Sequence, residues 1–263
     1  MSDFIDTNRS HWNAVTPGHL TSEFYDVDSF KAGRDTIDAV EEELVGDVTD
    51  RTLLHLQCHF GLDTMSWARR GAIATGVDFS RVAIEAATDL ASTLNLNTRF
   101  RVGDVLDLDL AEQFDIVFSS HGVLGWLPEL RSWGETVARH LKPHGRFVLV
   151  DSHPVLWTFD DERTDGKMRL RYDYFSKEPL EFVEAGSYAD PAAPVTRTLE
   201  WSHPLQEVLG SLIEAGLTIT GFHEYDHLAW QALPHMVQDG EGWWRLPSDS
   251  PAFPLMFAVT ATR

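Results

Sequence analysis

The sequence predicts an α/β fold: a doubly wound, seven-stranded, mostly parallel sheet with an antiparallel last strand and helices on both faces. Three observations predict it. Short apolar runs alternate with helical patterns from position 52 to 150. The fourth run, FDIVFS at 114–119, is apolar almost throughout, as a strand covered on both faces must be. The last two runs, 217–222 and 253–262, are joined by a loop with no clear long helix, which makes them antiparallel neighbours.

The elements follow in order. In the first fifty residues Ile37, Val40 and Leu44 recur at helical spacing, with Gly46 placed to stop them, while 22–30 (SEFYDVDSF) is irregular and aromatic. Residues 52–56 are the first buried strand, and 62–70 a helix ending at Gly71. The second strand, 73–77, closes on Asp78, and Ser80 is a fitting N-cap for the next helix. That helix puts Ala83, Ala86, Ala87, Leu90, Ala91 and Leu94 on one face. A third strand at 98–102 runs into Gly103 and Asp104. Pro128 sits where a helix would begin, with Leu130, Trp133, Val137 and Leu141 as its stripe. Residues 142–145 turn the chain into a fifth strand at 147–150. After 152 the pattern breaks into charges, prolines and aromatics, with YDYF (172–175) as a hairpin strand. Leu205, Val208, Leu209, Leu212 and Ile213 mark a last helix, stopped by Gly216. The expected organisation is an N-terminal helical segment (1–50), one domain built from 51–152 and 203–263, and an insertion at 153–202.

Composition narrows the partners. With 41 acidic against 21 basic residues the net charge is −20, which repels phosphate backbones and anionic membranes. Nucleic acid and membrane are therefore not expected as partners. The N-terminus is acidic and polar, unlike a signal peptide, and no run of 18 apolar residues exists. Cys58 is the only cysteine, which rules out an intrachain disulfide and fits a cytoplasmic location. A homo-oligomer is left open.

In such sheets ligands bind beyond the carboxyl ends of the strands. Three groups meet there. Gly61 allows a close backbone approach, Asp78 can accept from two ribose hydroxyls, and Asp104 can accept from an exocyclic amino group while Val105 N–H donates to a ring nitrogen. Singly, Asp78 reads equally as a helix-capping group, and Asp104 as a turn residue. Together, in this order, they favour a nucleoside site.

The strings LLHLQCHFGLDT, GVDFS, RVGDVLDL, FDIVFSSHGVLGWLPEL and HLKPHGRFVLVDSHP resemble the class I S-adenosylmethionine-dependent methyltransferases. The resemblance covers roughly 50–152, and 203–262 agrees in element order. The family pattern has an acidic residue followed by three alternating glycines. Here His55 stands at the acidic position, Gln57 and His59 at the first two glycines, and Gly61 at the third. LHLQCHFGLDT, the W-L-P segment and HPVLW are similar to a bacterial branch of that family. The resemblance implies S-adenosyl-L-methionine as cofactor. The 57–64 turn (Gln57, His59, Gly61, Asp63, Thr64) would hold its amino-acid portion. Asp78 would bind the ribose, with Phe79 and Ser80 beside it, and Asp104 and Val105 would read the adenine edge. Ser119 and His121 would lie beside the sulfonium, with Tyr25 closing over the methionine end. The 1–50 segment would cover the cofactor, and 153–202 would be a substrate-side lid.

Such a reaction needs aligned reactants and, for a hydroxyl acceptor, a base with a pKa near neutrality. His121 and His153, each just beyond a strand end, are the catalytic candidates. Trp126, directly after the fourth strand, and Trp157 are candidate substrate contacts together with His121; five of nine tryptophans lie beyond residue 150, which suggests an apolar lid or pocket wall. Histidine spacing offers no metal pattern, so no metal is expected. The fourth strand ends in SSHG rather than Asn/Asp-Pro-Pro-aromatic, which disfavours methylation of planar amide or base nitrogens. The expected substrate is a small molecule with an O- or N-acceptor. Two other readings predict different features: a non-catalytic module would bind the nucleoside without turnover, and a nicotinamide-dependent oxidoreductase would need G-x-G-x-x-G at 57–62, which is absent.

Overall fold

The computed structural model describes residues 2–263, with side chains from Phe4 onward. Its helices are α1 (Ser2–His19), α2 (Val27–Lys31), α3 (Ala39–Val45), α4 (Leu62–Arg69), α5 (Arg81–Thr93), α6 (Arg131–His140) and α7 (Leu205–Glu214). The main strands are β1 (Thr52–Leu56), β2 (Ile73–Asp78), β3 (Arg99–Val102), β4 (Phe114–Ser120) and β5 (Leu141–Ser152). A hairpin, β6 (Leu180–Glu184) with β7 (Thr196–Glu200), lies within the 153–202 segment. β8 (Thr218–Tyr225) precedes three two-residue strands, β9 (His227–Leu228), β10 (Val237–Gln238) and β11 (Trp244–Arg245), and β12 (Met256–Thr262) closes the chain.

Seven strands form one sheet in the order β3-β2-β1-β4-β5-β12-β8. β12 runs antiparallel to both its neighbours, β5 and β8, and the pairings from β3 to β5 are parallel. The expected fold class is therefore the observed one. β4 sits between β1 and β5, which explains its unbroken apolar run. Residues within a strand alternate between two cores. Leu54, Val117 and Phe147 face Trp133 and Val137 of α6 and Val208 and Leu212 of α7. Leu53, Ile116, Phe118 and Val148 face Val40 of α3 and Trp67 of α4. A third cluster joins Met65 of α4 to Ala83 and Ala87 of α5 around Phe60 and Phe100. Strand order reverses between β1 and β4, and the crevice above that point is where ligands bind in open α/β sheets.

Ser80 caps α5 as expected, its Oγ accepting from Ala83 N at 3.1 Å. Four local expectations need correction. The 142–145 segment lies inside β5, because Leu141 already pairs with Phe114 and a register shift absorbs the extra residues. The helix stripe begun at Ile37 starts two residues later, since Asp38 is the N-cap. The helix expected from Pro128 starts at Arg131. YDYF is not a hairpin strand: the Tyr174 hydroxyl accepts from Leu205 N and its carbonyl accepts from Ser202 Oγ, so the segment fastens the start of α7.

Candidate active site

The turn leaving β1 keeps a glycine-like trace without the glycines. Gln57, His59 and Gly61 all have left-handed backbones, with φ of 56°, 51° and 76°. That region costs a non-glycine residue roughly 1–2 kcal/mol, so the surroundings must hold Gln57 and His59 there. They do. His59 N donates to Asp78 Oδ2 at 2.9 Å, and Gln57 Nε2 donates to Val123 O at 2.9 Å. At position 55 a buried histidine stands where the family that the sequence resembles has an acid. Its Nδ1 lies 2.9 Å from Thr64 Oγ1, and burial pushes its pKa down to about 3, so it stays neutral. Thr64 is thereby committed to His55 beneath the turn.

Asp78 ends β2 with only 8% of its surface exposed. Its second oxygen accepts from Ser80 N at 2.8 Å, so both oxygens are aimed by backbone N–H groups while retaining lone pairs. Burial raises its pKa to about 6; the bonds from Ser80 and His59 pull the other way. Phe79 is half-buried beside it. Asp104 Oδ1 accepts from Leu106 N at 3.0 Å, forming a turn that carries buried Val105, and burial raises the Asp104 pKa.

Helix α1 packs on this crevice. Asn13 Oδ1 accepts from Ser80 Oγ at 2.8 Å and from Val82 N at 3.3 Å. The Trp12 ring lies 5.1 Å from the rings of both His59 and Trp126, and His11 stacks on Trp126 at 5.7 Å. His19 Nδ1 lies 3.0 Å from His59 Nε2. Tyr25 packs its ring against Phe60 at 4.7 Å, and its hydroxyl bonds the hydroxyl of Tyr188 from the 153–202 segment. Asn8 is buried and pairs with the β7 backbone, donating to Leu199 O at 2.7 Å and accepting from Leu199 N at 2.9 Å.

Beyond β4 the chain turns at His121, φ 45°. Buried Asp151 sets this loop: its oxygens accept from Gly122 N (2.6 Å), Val123 N (3.2 Å) and Leu124 N (3.1 Å). Asp38 and Glu41 of α3 then meet His121. Its Nε2 lies 3.1 Å from Asp38 Oδ2 and 3.5 Å from Glu41 Oε1. Burial alone would lower the His121 pKa. The Asp38 hydrogen bond and the charges of Glu41, Asp38 and Asp63 outweigh it and raise the value to about 9, so the imidazole is charged at neutral pH. Asp63, in the first turn of α4, and Glu41 are both raised by burial.

The expected residues divide accordingly. Tyr25, Gln57, His59, Gly61, Asp78, Phe79 and Ser80 come together at the carboxyl ends of β1 and β2. Ser119 is fully buried on β4, which neighbours β1. His153 is elsewhere, at the β5 end: Nε2 lies 3.2 Å from Glu224 Oε1, and burial lowers its pKa. It lines an apolar groove of about 350 Å³ with Val155, Phe159, Tyr174, Phe253 and Pro254. Trp157 is 43% exposed and outside that groove, whereas Trp230, expected only as one of the five tryptophans of a lid or pocket wall, lies 5.6 Å from His121. Trp12, Asn13, His19, Asp38, Glu41 and Asp151 were also not singled out. The signal for Asp38 and Glu41 was present as the D-x-x-E spacing of a capping box.

The buried polar atoms without a hydrogen-bond partner among the described residues concentrate at this end of the sheet. They include Gln57 Oε1, His59 Nδ1, Ser119 Oγ, Ser120 Oγ and His121 Nδ1. Unpaired buried polar groups cost about 1–3 kcal/mol each, so a ligand with its own polar groups fits here better than an apolar filling.

Comparison with known proteins finds likenesses of sequence and of fold. Residues 53–145 match the family described as "Methyltransferase domain". A magnesium-protoporphyrin O-methyltransferase from Rhodobacter capsulatus is 38% identical over 96 residues, 36% of this chain and 42% of that one. A dTDP-4-amino-2,3,4,6-tetradeoxy-D-glucose N,N-dimethyltransferase from Saccharopolyspora spinosa is 27% identical over 174 residues, 63% of this chain and 65% of that one. The chain thus spans less than two thirds of these curated relatives. Among solved structures, an S-adenosylmethionine dependent methyltransferase from Mesorhizobium loti is 20% identical with a TM-score of 0.58, covering 89% of this chain and 100% of that one, a likeness of fold.

Proposed function

We propose that the chain, whose residues 53–145 match a methyltransferase domain and whose sheet order fits the class I S-adenosylmethionine-dependent methyltransferases, moves a methyl group directly from S-adenosylmethionine to a small-molecule oxygen or nitrogen. Support comes above all from the left-handed turn at 57, 59 and 61 facing Asp78, with unpartnered buried polar atoms beside it. The cofactor supplies an electrophilic methyl on a sulfonium, so the protein needs mainly to bind, align and exclude water.

In this reading the 57–64 turn holds the amino-acid end, with Asp63 at its α4 side. Asp78 accepts from the ribose hydroxyls, Phe79 lies along the adenine, and Asp104 with the Val105 N–H meets the adenine edge. Ser119 and His121 stand beside the sulfonium, and Tyr25 closes over the methionine end. The 1–50 segment covers the cofactor and 153–202 forms the acceptor-side lid; the pairings Tyr25–Tyr188 and Asn8–Leu199 join the two. Trp126 and Trp230 contribute apolar wall. An oxygen acceptor needs a proton sink. His153 is held neutral by burial and so has the charge state of a base, whereas His121, expected as a base, is charged at neutral pH and can orient an acceptor but not take its proton. Both acceptor types occur among the relatives, an O-methyltransferase and an N,N-dimethyltransferase. The lone, buried Cys58 suits a cytoplasmic location.

The test is calorimetric titration with S-adenosylmethionine, followed by S-adenosylhomocysteine formation on a panel of phenols and amines. Binding plus turnover is expected. His121→Ala should lower turnover far more than cofactor affinity, and equal losses would move His121 to the cofactor. Absence of cofactor binding would overturn the assignment.

A further inference from the structure

We propose that Asp38, Glu41 and His121 form a binding site for one divalent transition-metal ion. The capping box of α3 uses one oxygen of each carboxylate: Glu41 N donates to Asp38 Oδ1 and Asp38 N donates to Glu41 Oε2, both at 2.9 Å. The other two oxygens are left facing His121 Nε2, at 3.1 and 3.5 Å, and the three atoms all lie within 4.8 Å of one another. Zinc-type ions take such nitrogen and oxygen ligands at about 2.0–2.2 Å, which puts neighbouring ligand atoms roughly 3.0–3.5 Å apart. The two separations from His121 Nε2 fall in that range, and the third, between the carboxylate oxygens, is within 4.8 Å.

A second observation points to an occupant. The Glu41 side chain is 1% exposed, and its Oε1 has no hydrogen-bond partner among the described residues. The charged imidazole is itself a cation that these oxygens face, yet at 3.5 Å it makes no hydrogen bond to Glu41 Oε1; a metal ion that displaces the His121 proton would give that buried oxygen a direct partner. The ligands are also held from behind, as metal ligands require. Backbone N–H groups orient both carboxylates. Asp151, through Gly122, Val123 and Leu124, fixes the loop that carries His121. One imidazole nitrogen with two carboxylate oxygens suits manganese, iron(II), cobalt, nickel or zinc better than calcium or magnesium, which prefer all-oxygen sets. Three protein ligands leave positions open on the ion.

The ligands come from α3 and the end of β4, so the site does not depend on the methyl-donor assignment. The test uses the full chain, treated with chelator and dialysed, then titrated with Mn²⁺, Co²⁺, Zn²⁺, Mg²⁺ and Ca²⁺ in separate calorimetric and thermal-shift series. One equivalent of Co²⁺ or Zn²⁺ should bind and raise Tm; Co²⁺ should give a visible absorption band and paramagnetically shifted His121 ring protons. Mg²⁺ and Ca²⁺ should bind far more weakly. Glu41→Gln retains the cap, because a glutamine oxygen can still accept from Asp38 N, and His121→Asn suits the left-handed backbone. Each should weaken binding by at least about tenfold, the scale on which even outer-shell ligand contacts register. No binding of any transition ion to the wild-type chain would overturn the proposal. So would unshifted His121 protons with Co²⁺ bound, or binding unchanged in both variants.

Discussion

Gly61→Ala tests whether the cofactor turn is constrained by backbone and packing together. At φ 76° an alanine incurs about 1–2 kcal/mol of left-handed strain. Its methyl carbon would also lie 2.6 Å from Cζ of Phe100, a buried ring that packs against α5. Overfilling a packed core costs about 1–3 kcal/mol. The sum, roughly 2–5 kcal/mol, is a large share of the 5–15 kcal/mol typical of a folded domain. Urea unfolding followed by circular dichroism should show a lower midpoint with an unchanged m-value. Phe100→Leu in the same chain removes the clash and leaves the strain. The double variant should therefore be more stable than the two single losses predict, by about 1–3 kcal/mol. A Gly61→Ala loss under about 0.5 kcal/mol, or strict additivity of the pair, would refute the reasoning.

Asp78→Ala should weaken S-adenosylmethionine binding by about 1–3 kcal/mol in calorimetry, since it removes a charged acceptor from buried hydroxyls; unchanged affinity would put the ribose elsewhere. Asp78 also sets a pH dependence: in the proposed reading its carboxylate accepts from the ribose, burial raises its pKa to about 6, and the protonated form must lose a proton first. Cofactor Kd should therefore be flat above pH 6 and rise as pH falls below it, approaching about tenfold per unit; a flat profile down to pH 5 would refute this. Asp151→Asn replaces one accepting oxygen with an N–H₂ that opposes backbone donors of the 122–124 loop. It should lower stability by roughly 2–4 kcal/mol and cut turnover, read by thermal unfolding and S-adenosylhomocysteine release; an unchanged Tm would mean the loop holds itself.

The parallel sheet was legible because each central strand is an apolar run ending in a polar residue at the crevice, as FDIVFS and ATGVD do. The Ser80 cap was legible because a short hydroxyl before an amphipathic stretch has few other uses. The segment at 142–145 misled because Pro143, His144 and Gly145 are turn residues by local preference. A bulge in β5 satisfies the same preference inside a strand, and pairing with β4 decides between the two. The left-handed trace at 57 and 59 was hidden because propensity assigns it to glycine, whereas Asp78 and Val123 hold it through contacts 19 and 66 residues away. The Asp38–Glu41–His121 meeting was invisible for the same reason. The D-x-x-E pair announces a helix start, but only the folded sheet brings residue 121 to it, 83 positions on from Asp38.

Helix α1 and the β6–β7 hairpin are bound to each other as tightly as to the body of the protein. The amide of Asn8 completes the main-chain bonding of Leu199, and the phenols of Tyr25 and Tyr188 touch tip to tip. Two stretches some 160 to 190 positions apart are thus tied into a single unit. Neither can be replaced alone without losing those bonds: a foreign hairpin would lack the partner that Asn8 and Tyr25 supply. Under the proposed function, a change of acceptor made in one of the two stretches would call for a matching change in the other.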